Sequence, residues 1–263
     1  MEKYNLPQEE EKRFEIYEGR NTEQMPKLIA DGRIPTNFSQ LMQRRLELRN
    51  DKTGVKDFYM NHWFDSGDVG VYHPDGRVKI VLDSQYLKDM TLDTPRRGGA
   101  LILSEDVYKA LEGEEFKKGK LGKTNRRMSK ADVKAHPVWK VLARDQALLN
   151  DYADYIFGEY QARFAKDTPL KDVKIMGIFP DSTDGETPEM RAWYIGSFGK
   201  ESDANCWSDL NYNDGRLLGI IPDALNKNQR VNVYPQNKIE RALEELGFSD
   251  LTKTLMNKLG EEK

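Results

Sequence analysis

Carboxylates and imidazoles concentrate in one short part of this chain. His62, Asp65, Asp68, His73 and Asp83 lie on or beside the stretch WFDSGDVGVYHPDGRVKIVLDS, residues 63–84. Acids and imidazoles within a few ångströms of one another can hold a divalent ion and activate a water for hydrolysis, for instance of a phosphoester. Geometry limits the set. His73 opens the turn His73-Pro74-Asp75-Gly76, at the far end of a two-stranded ribbon from Asp65. That leaves Asp65, Asp68 and Asp83, at the open end of the ribbon, as the candidate metal ligands. The competing reading is ordinary turn chemistry, because Asp65-Ser66-Gly67-Asp68 has the composition of a tight turn that hydrogen-bonds its own backbone.

A different chemistry belongs to residues 117–130, KKGKLGKTNRRMSK, which hold seven basic residues and no acid. Lys117, Lys118, Lys120, Lys123, Arg126 and Arg127 can neutralise phosphates without reading bases, so nucleic acid or another polyanion is the expected partner. The alternative is a charged, solvated loop. No aromatic residue is interleaved for base stacking. The ending Gly122-Lys123-Thr124 looks like the close of a phosphate-binding loop, but the glycine required five residues before Gly122 is Lys117, so that motif is absent. Asp181-Ser182-Thr183-Asp184-Gly185-Glu186 lacks the alternating ligands of a calcium loop and reads as an acidic surface loop. Cys206, beside Trp207, reads as a packing residue.

The elements that must position these groups follow from periodicity. Val69, Val71 and 78–82 form a hairpin over 69–82, with Val78, Ile80 and Leu82 on one buried face and Arg77, Lys79 and Val81 on the other. Thr36 or Asn37 caps a helix through Phe38, Leu41, Met42 and Leu46 whose opposite side, with Arg44, Arg45 and Arg49, is expected to face solvent. Ser104 and Ser129 cap two more helices. One long helix is expected over 137–164. Strands are expected at 173–179 and 191–198, and two more at 210–212 and 217–221 around the turn Asn213-Asp214-Gly215. They follow one another without intervening helices, which predicts an antiparallel meander. Asn237 and Ser249 start two C-terminal helices.

Composition bounds the rest. The 263 residues carry 41 Lys and Arg against 44 Asp and Glu, a net charge of −3 that excludes a globally polycationic protein while allowing a local basic site. Ten Phe, twelve Tyr and four Trp argue for a packed core. A single cysteine rules out an internal disulfide and a cysteine-based zinc site. No apolar run reaches membrane-spanning length, and residues 1–14 lack the apolar core of a signal peptide, so the expected location is the cytoplasm.

The expected fold class is α+β: an antiparallel hairpin and meander sheets packed with a long central helix and two C-terminal helices. The expected organisation is an N-terminal α+β lobe (1–116), a basic loop or linker (117–128) and a C-terminal α+β lobe (129–263), the two lobes being able to form one compact domain. The expected function is non-catalytic binding of a macromolecule through the basic loop. The alternative is a metal-dependent hydrolase of phosphoesters that uses Asp65, Asp68 and Asp83 and requires a divalent metal.

Overall fold

The longest strand of the sheet is nine residues, Phe64–Tyr72 (β3), and every one of them is buried. It belongs to a computed structural model in which residues 13–117, 120–183, 185–199 and 202–222 are described. The chain divides into a unit Met1–Ile221 and a unit Pro222–Lys263. The two expected C-terminal helices lie outside the described residues.

Strand β3 changes neighbours along its length. Over Val69–Tyr72 it pairs antiparallel with Val78–Val81 (β4), while at Asp65 it meets Leu217 of a parallel strand, Arg216–Ile220 (β12). On its other side Glu189–Ile195 (β10) runs antiparallel past both halves. At the changeover, Ser66, Gly67 and Asp68 stand opposite the single residue Trp193, a bulge that bends the strand. The ladder is broken there, and buried side chains supply the missing bonds. Ser66 Oγ donates to the Trp193 carbonyl at 2.7 Å and accepts from Asp68 N, and Gly67 N donates to the Thr36 carbonyl.

Among the described residues the sheet has twelve strands, in the order β1-β12-β3-β10-β11-β9-β8 along its main path, where β1 is Phe14–Glu18, β8 Arg126–Met128, β9 Ile175–Pro180 and β11 Ala204–Cys206, with the short strands β2 (Ile34–Pro35), β5 (Arg96–Arg97), β6 (Ala100–Ile102) and β7 (Glu114–Phe116) off that path. It is mixed, because β12 with β3 and β11 with β9 are parallel pairs. The antiparallel meander is therefore corrected. The turn Asn213-Asp214-Gly215 does not close a hairpin, since β12 pairs with β1 and β3. Strands from before and after residues 117–128 alternate in one sheet, and Arg126–Met128 is itself a strand pairing with β9.

Helices cover both faces. Val69, Val71, Met190, Ala192 and Leu217 form a core with Met25 and Leu28 of Asn21–Ala30 (α1), Leu87 of Gln85–Lys88 (α4, after Val55–Asn61, α3) and Tyr108 of Glu105–Ala110 (α5). The hairpin is thus buried on both sides: Lys79, expected at the surface, donates to the Tyr108 and Leu111 carbonyls at the end of α5, both at 2.8 Å. The opposite face holds Phe38–Glu47 (α2), which packs on β3, β10 and two later helices, Pro137–Ala143 (α7) and Gln146–Phe164 (α8), with Lys130–Ala135 (α6) before them. Asn37 with Gln40 makes a capping box, and Ser104 and Ser129 accept the amides of Val107 and Asp132, as their sequence positions predict. The single long helix is corrected to two. Arg144 turns left-handed (φ 63°) and Asp145 caps the second helix through the amides of Ala147 and Leu148.

Of the three arginines expected at the surface, Arg49 is exposed and Arg44 and Arg45 are buried. Arg45 is only 1% exposed. Its guanidinium donates to the carbonyls of Tyr59 (2.9 Å), His62 (3.1 Å) and Gly196 (2.8 Å), and to Tyr152 Oη (3.0 Å) and Ser202 Oγ (3.2 Å). All five bonds go to neutral oxygens, and they tie α2 to α8 and to the segment after β10. Lysine has three donors on a compact ammonium and cannot reproduce this fork. Arg45→Lys is expected to lower stability by roughly 2–4 kcal/mol through buried carbonyls left unmatched. Urea denaturation with an unchanged m-value checks this, and a loss below about 0.5 kcal/mol contradicts it.

Candidate functional site

The three candidate metal ligands do not share a site. Asp65 is fully buried and accepts Asn21 Nδ2 (2.8 Å), Ser208 Oγ (2.9 Å) and Arg216 N (3.3 Å). Burial pushes its carboxyl up, against the pull of these three bonds. Asp68, three residues along, accepts Phe38 N, Asp83 N and Arg144 Nη2 (2.6 Å), and Arg144 Nη1 reaches Asp83 at 2.7 Å. Arg144 therefore stands between Asp68 and Asp83 where a cation would sit. Both Asp83 (φ 51°) and Arg144 (φ 63°) are left-handed, so the bulge at Asp68 holds two uncommon backbone conformations in place. Among the described residues no three His, Cys, Asp or Glu are arranged to hold a metal. His62 shares a hydrogen bond with the Phe58 carbonyl, and His73 pairs with Asp75 and Glu105 at the hairpin turn. The tight-turn reading is corrected as well, because these acids lie inside a bulged central strand.

The basic stretch is spread over a surface. Lys117, Lys120, Lys123, Arg126 and Arg127 are exposed, and Lys118 lies outside the described residues. Lys123 pairs with Asp132 at 2.5 Å, while Arg127 lies 3.7 Å from Asp203. His136 fixes one end of the stretch, since its Nε2–H donates to the Lys123 carbonyl (3.0 Å) and its Nδ1 accepts Val138 N at the start of α7 (3.3 Å).

A concave feature lies elsewhere. A cavity of about 560 Å³ is lined by Trp63, Tyr194, Gly196, Ser197, Asp203, Asn205, Trp207, Ser208, Asp209 and Tyr212. Its aromatic rings form a row, with centroids 5.7 Å apart from Trp63 to Tyr194 and 6.2 Å apart from Tyr194 to Trp207. Trp207 and Tyr212 are 56% and 54% exposed, whereas Trp139 and Trp193 are wholly buried. A second cavity of about 410 Å³ shares Asp203, Asn205 and Trp207 with the first and adds Arg127, Asn125, Phe179 and Asp181.

The fold makes this cleft rigid. Residues 207–210 alternate outward and inward. Ser208 reaches Asp65 and its carbonyl accepts Arg191 Nη1, while buried Leu210 receives Thr22 N and donates to Gly99 O. Trp207, Asp209 and Tyr212 are thereby left facing outward. Beneath them Cys206 is packed against Gly70, where a Cβ would meet its sulfur at 2.5 Å, and burial pushes the thiol up to about 12, so it is a packing residue. Sequence reasoning missed the cleft, because 210–212 reads as a strand. The available signal was the density of Trp, Tyr, Asn, Ser and Asp over 205–214.

No family model matches the chain, and no curated protein matches it. The fold resembles the C-type lectin fold. The likeness is to a solved structure described as "Accommodation of massive sequence variation in Nanoarchaeota by the C-type lectin fold", with a TM-score of 0.54 and 12% identity over 80% of this chain and 98% of that one. No helix among the described residues is long and apolar enough to cross a membrane.

His136 makes the basic stretch pH-sensitive. Burial lowers its imidazole below the usual 6.5, with the Lys123 carbonyl opposing. The unfolded chain therefore binds the proton more tightly, and the stability His136 contributes is complete above about pH 6.5 and is lost as pH falls through the lower folded value. Exchange at the Val138 amide, taken relative to its intrinsic rate at each pH, is expected to accelerate between about pH 7 and about pH 5. In His136→Asn, which keeps a capping oxygen, that acceleration is expected to disappear. An identical pH response in the variant refutes the assignment.

Proposed function

We propose that this chain is a binding protein that takes a polypeptide partner into the cleft formed by Trp63, Tyr194, Trp207 and Tyr212. The observation that carries the reading is the exposure of Trp207 and Tyr212 in a concave site, in a protein whose other large aromatics are mostly buried. The chemistry of the lining supports a polypeptide. Two Trp, two Tyr, two Ser, one Gly and one Asn among ten residues is the composition of antibody paratopes, where rigid aromatics supply contact area at low entropic cost and small polar groups adapt their hydrogen bonds. The neighbouring structure's description, which speaks of sequence variation accommodated by its fold, agrees with a scaffold that holds a recognition surface.

A second reading keeps the partner expected from the basic stretch. Arg127 shares the smaller cavity with Phe179 and Trp207, and Arg126 lies beside it on β8, so phosphate contacts and base stacking are available together for a single strand. The two readings separate in one set of measurements. A random peptide library selected on the wild-type protein is expected to yield binders that lose about 30-fold or more in affinity on Trp207→Ala, the size expected for an interface anchor. The variant is expected to fold normally, because the side chain is more than half exposed. Selected peptides that bind both proteins equally, or a library without binders, overturn the polypeptide reading. Binding of a single-stranded oligonucleotide that falls steeply with salt and requires Arg126, Arg127 and Trp207 would transfer the conclusion to nucleic acid.

A further inference from the structure

We infer that the aromatic cleft anchors its partner through a cationic side chain, the guanidinium of arginine or the ammonium of lysine, seated against Tyr194 and Trp207. The inference rests on the cleft being the binding site and names what that site selects. Its first support is charge. The lining of the larger cavity contains two carboxylates, Asp203 and Asp209, and among the described residues no lysine or arginine. The Asp209 carboxylate accepts the Asn211 amide and makes no ion pair among the described residues.

The second support is the negative field that the neighbouring groups report. Burial pushes the Tyr194 phenol above its ordinary value, and the nearby carboxylates of Asp65 and Asp203 push it further in the same direction. A polyanion entering this cavity would meet that field unfavourably, whereas a cation is drawn into it.

The third support is geometry. A cation is attracted to an aromatic face when it lies within about 6 Å of the ring centroid. The Tyr194 and Trp207 centroids are 6.2 Å apart, too close for a group to be sandwiched between the rings, but their planes are inclined by 57°, so a cation resting at the mouth of that angle lies within range of both. The protein already uses this interaction at the cleft edge, where the Arg216 guanidinium lies 5.9 Å from the Trp63 ring. That arginine is committed to Glu18 at 2.8 Å, and Arg127, 3.7 Å from Asp203, lines the neighbouring cavity.

The test uses two probes of nearly equal shape and different charge, N-acetyl-arginine methylamide and its neutral counterpart N-acetyl-citrulline methylamide. Binding to the full chain is followed through the indole N–H resonances of the tryptophans. The arginine probe is expected to shift the Trp207 and Trp63 signals saturably, the citrulline probe to bind at least tenfold more weakly, and Trp207→Ala to abolish the difference. Asp209→Asn, which retains an acceptor for the Asn211 amide, is expected to weaken the arginine probe several-fold and leave the citrulline probe unchanged. Equal binding of the two probes overturns the inference, as does arginine binding that survives Trp207→Ala. If neither probe binds while selected peptides still require Trp207, the cationic anchor is overturned and the cleft reading stands. Peptides that do not require Trp207 remove both.

Discussion

Three polar side chains buried on one strand, Asp65, Ser66 and Asp68, hold the rest of the structure in place. Ordinarily a central strand carries apolar side chains and leaves its backbone to the ladder. Here β3 exchanges β12 for β4 midway, and the ladder is interrupted at a bulge. Buried backbone groups without partners are costly, so the bulge persists because side chains replace the lost bonds. Ser66 bonds to β10, Asp68 bonds to the first amide of α2 and to Asp83, and Asp65 bonds to the chain on both sides of the cleft loop. One strand therefore fixes a helix, a hairpin end and the aromatic site.

Two arginines extend this control to the helical layer. Arg45 joins α2 to α8 through oxygens of four separate segments, and Arg144 sits at the break between α7 and α8, where a left-handed turn aims it at Asp68 and Asp83. The break and the bulge are two ends of one interaction. A continuous helix would carry Arg144 out of reach, and without Arg144 the buried Asp68 would lose its cationic partner. Removing one member of such a pair leaves an uncompensated buried charge, which is why the expensive arrangement is self-consistent.

Local chemistry was legible in the sequence, and long-range partnership was not. The hairpin turn His73–Gly76, the capping box at Asn37 and the caps at Ser104 and Ser129 were readable because each depends on residues within four positions of one another. Arg45 was misread as a surface residue because its partners lie at Tyr59, Tyr152, Gly196 and Ser202, and helical periodicity carries no record of them. Asp65 and Asp68 stood out as acids clustered near a strand end, where a metal site or a tight turn was the expectation. The fold instead buries both within β3, where Asp65 accepts three hydrogen bonds and Asp68 meets Arg144. The parallel pairs escaped notice because β9 and β11 are separated by β10 and a loop, and pairing across that distance leaves no local pattern. The cleft was invisible for a related reason: Trp63, Tyr194 and Trp207 come from three distant segments and are joined only by the fold.

Buried Asp65 holds the cleft loop in place through Ser208 and the Arg216 amide. All three groups that meet its carboxylate donate to it, so Asp65→Ala, which removes both acceptor oxygens, leaves Asn21 Nδ2, Ser208 Oγ and the Arg216 amide without these bonds. Residue-resolved hydrogen exchange on this variant is the most direct measurement. The expected result is an acceleration of about tenfold or more across residues 207–216, with the hairpin 69–82 protected as in the wild type, because local opening follows the loss of local contacts. Exchange in the loop that is unchanged, or that rises equally throughout the sheet, would contradict the claim.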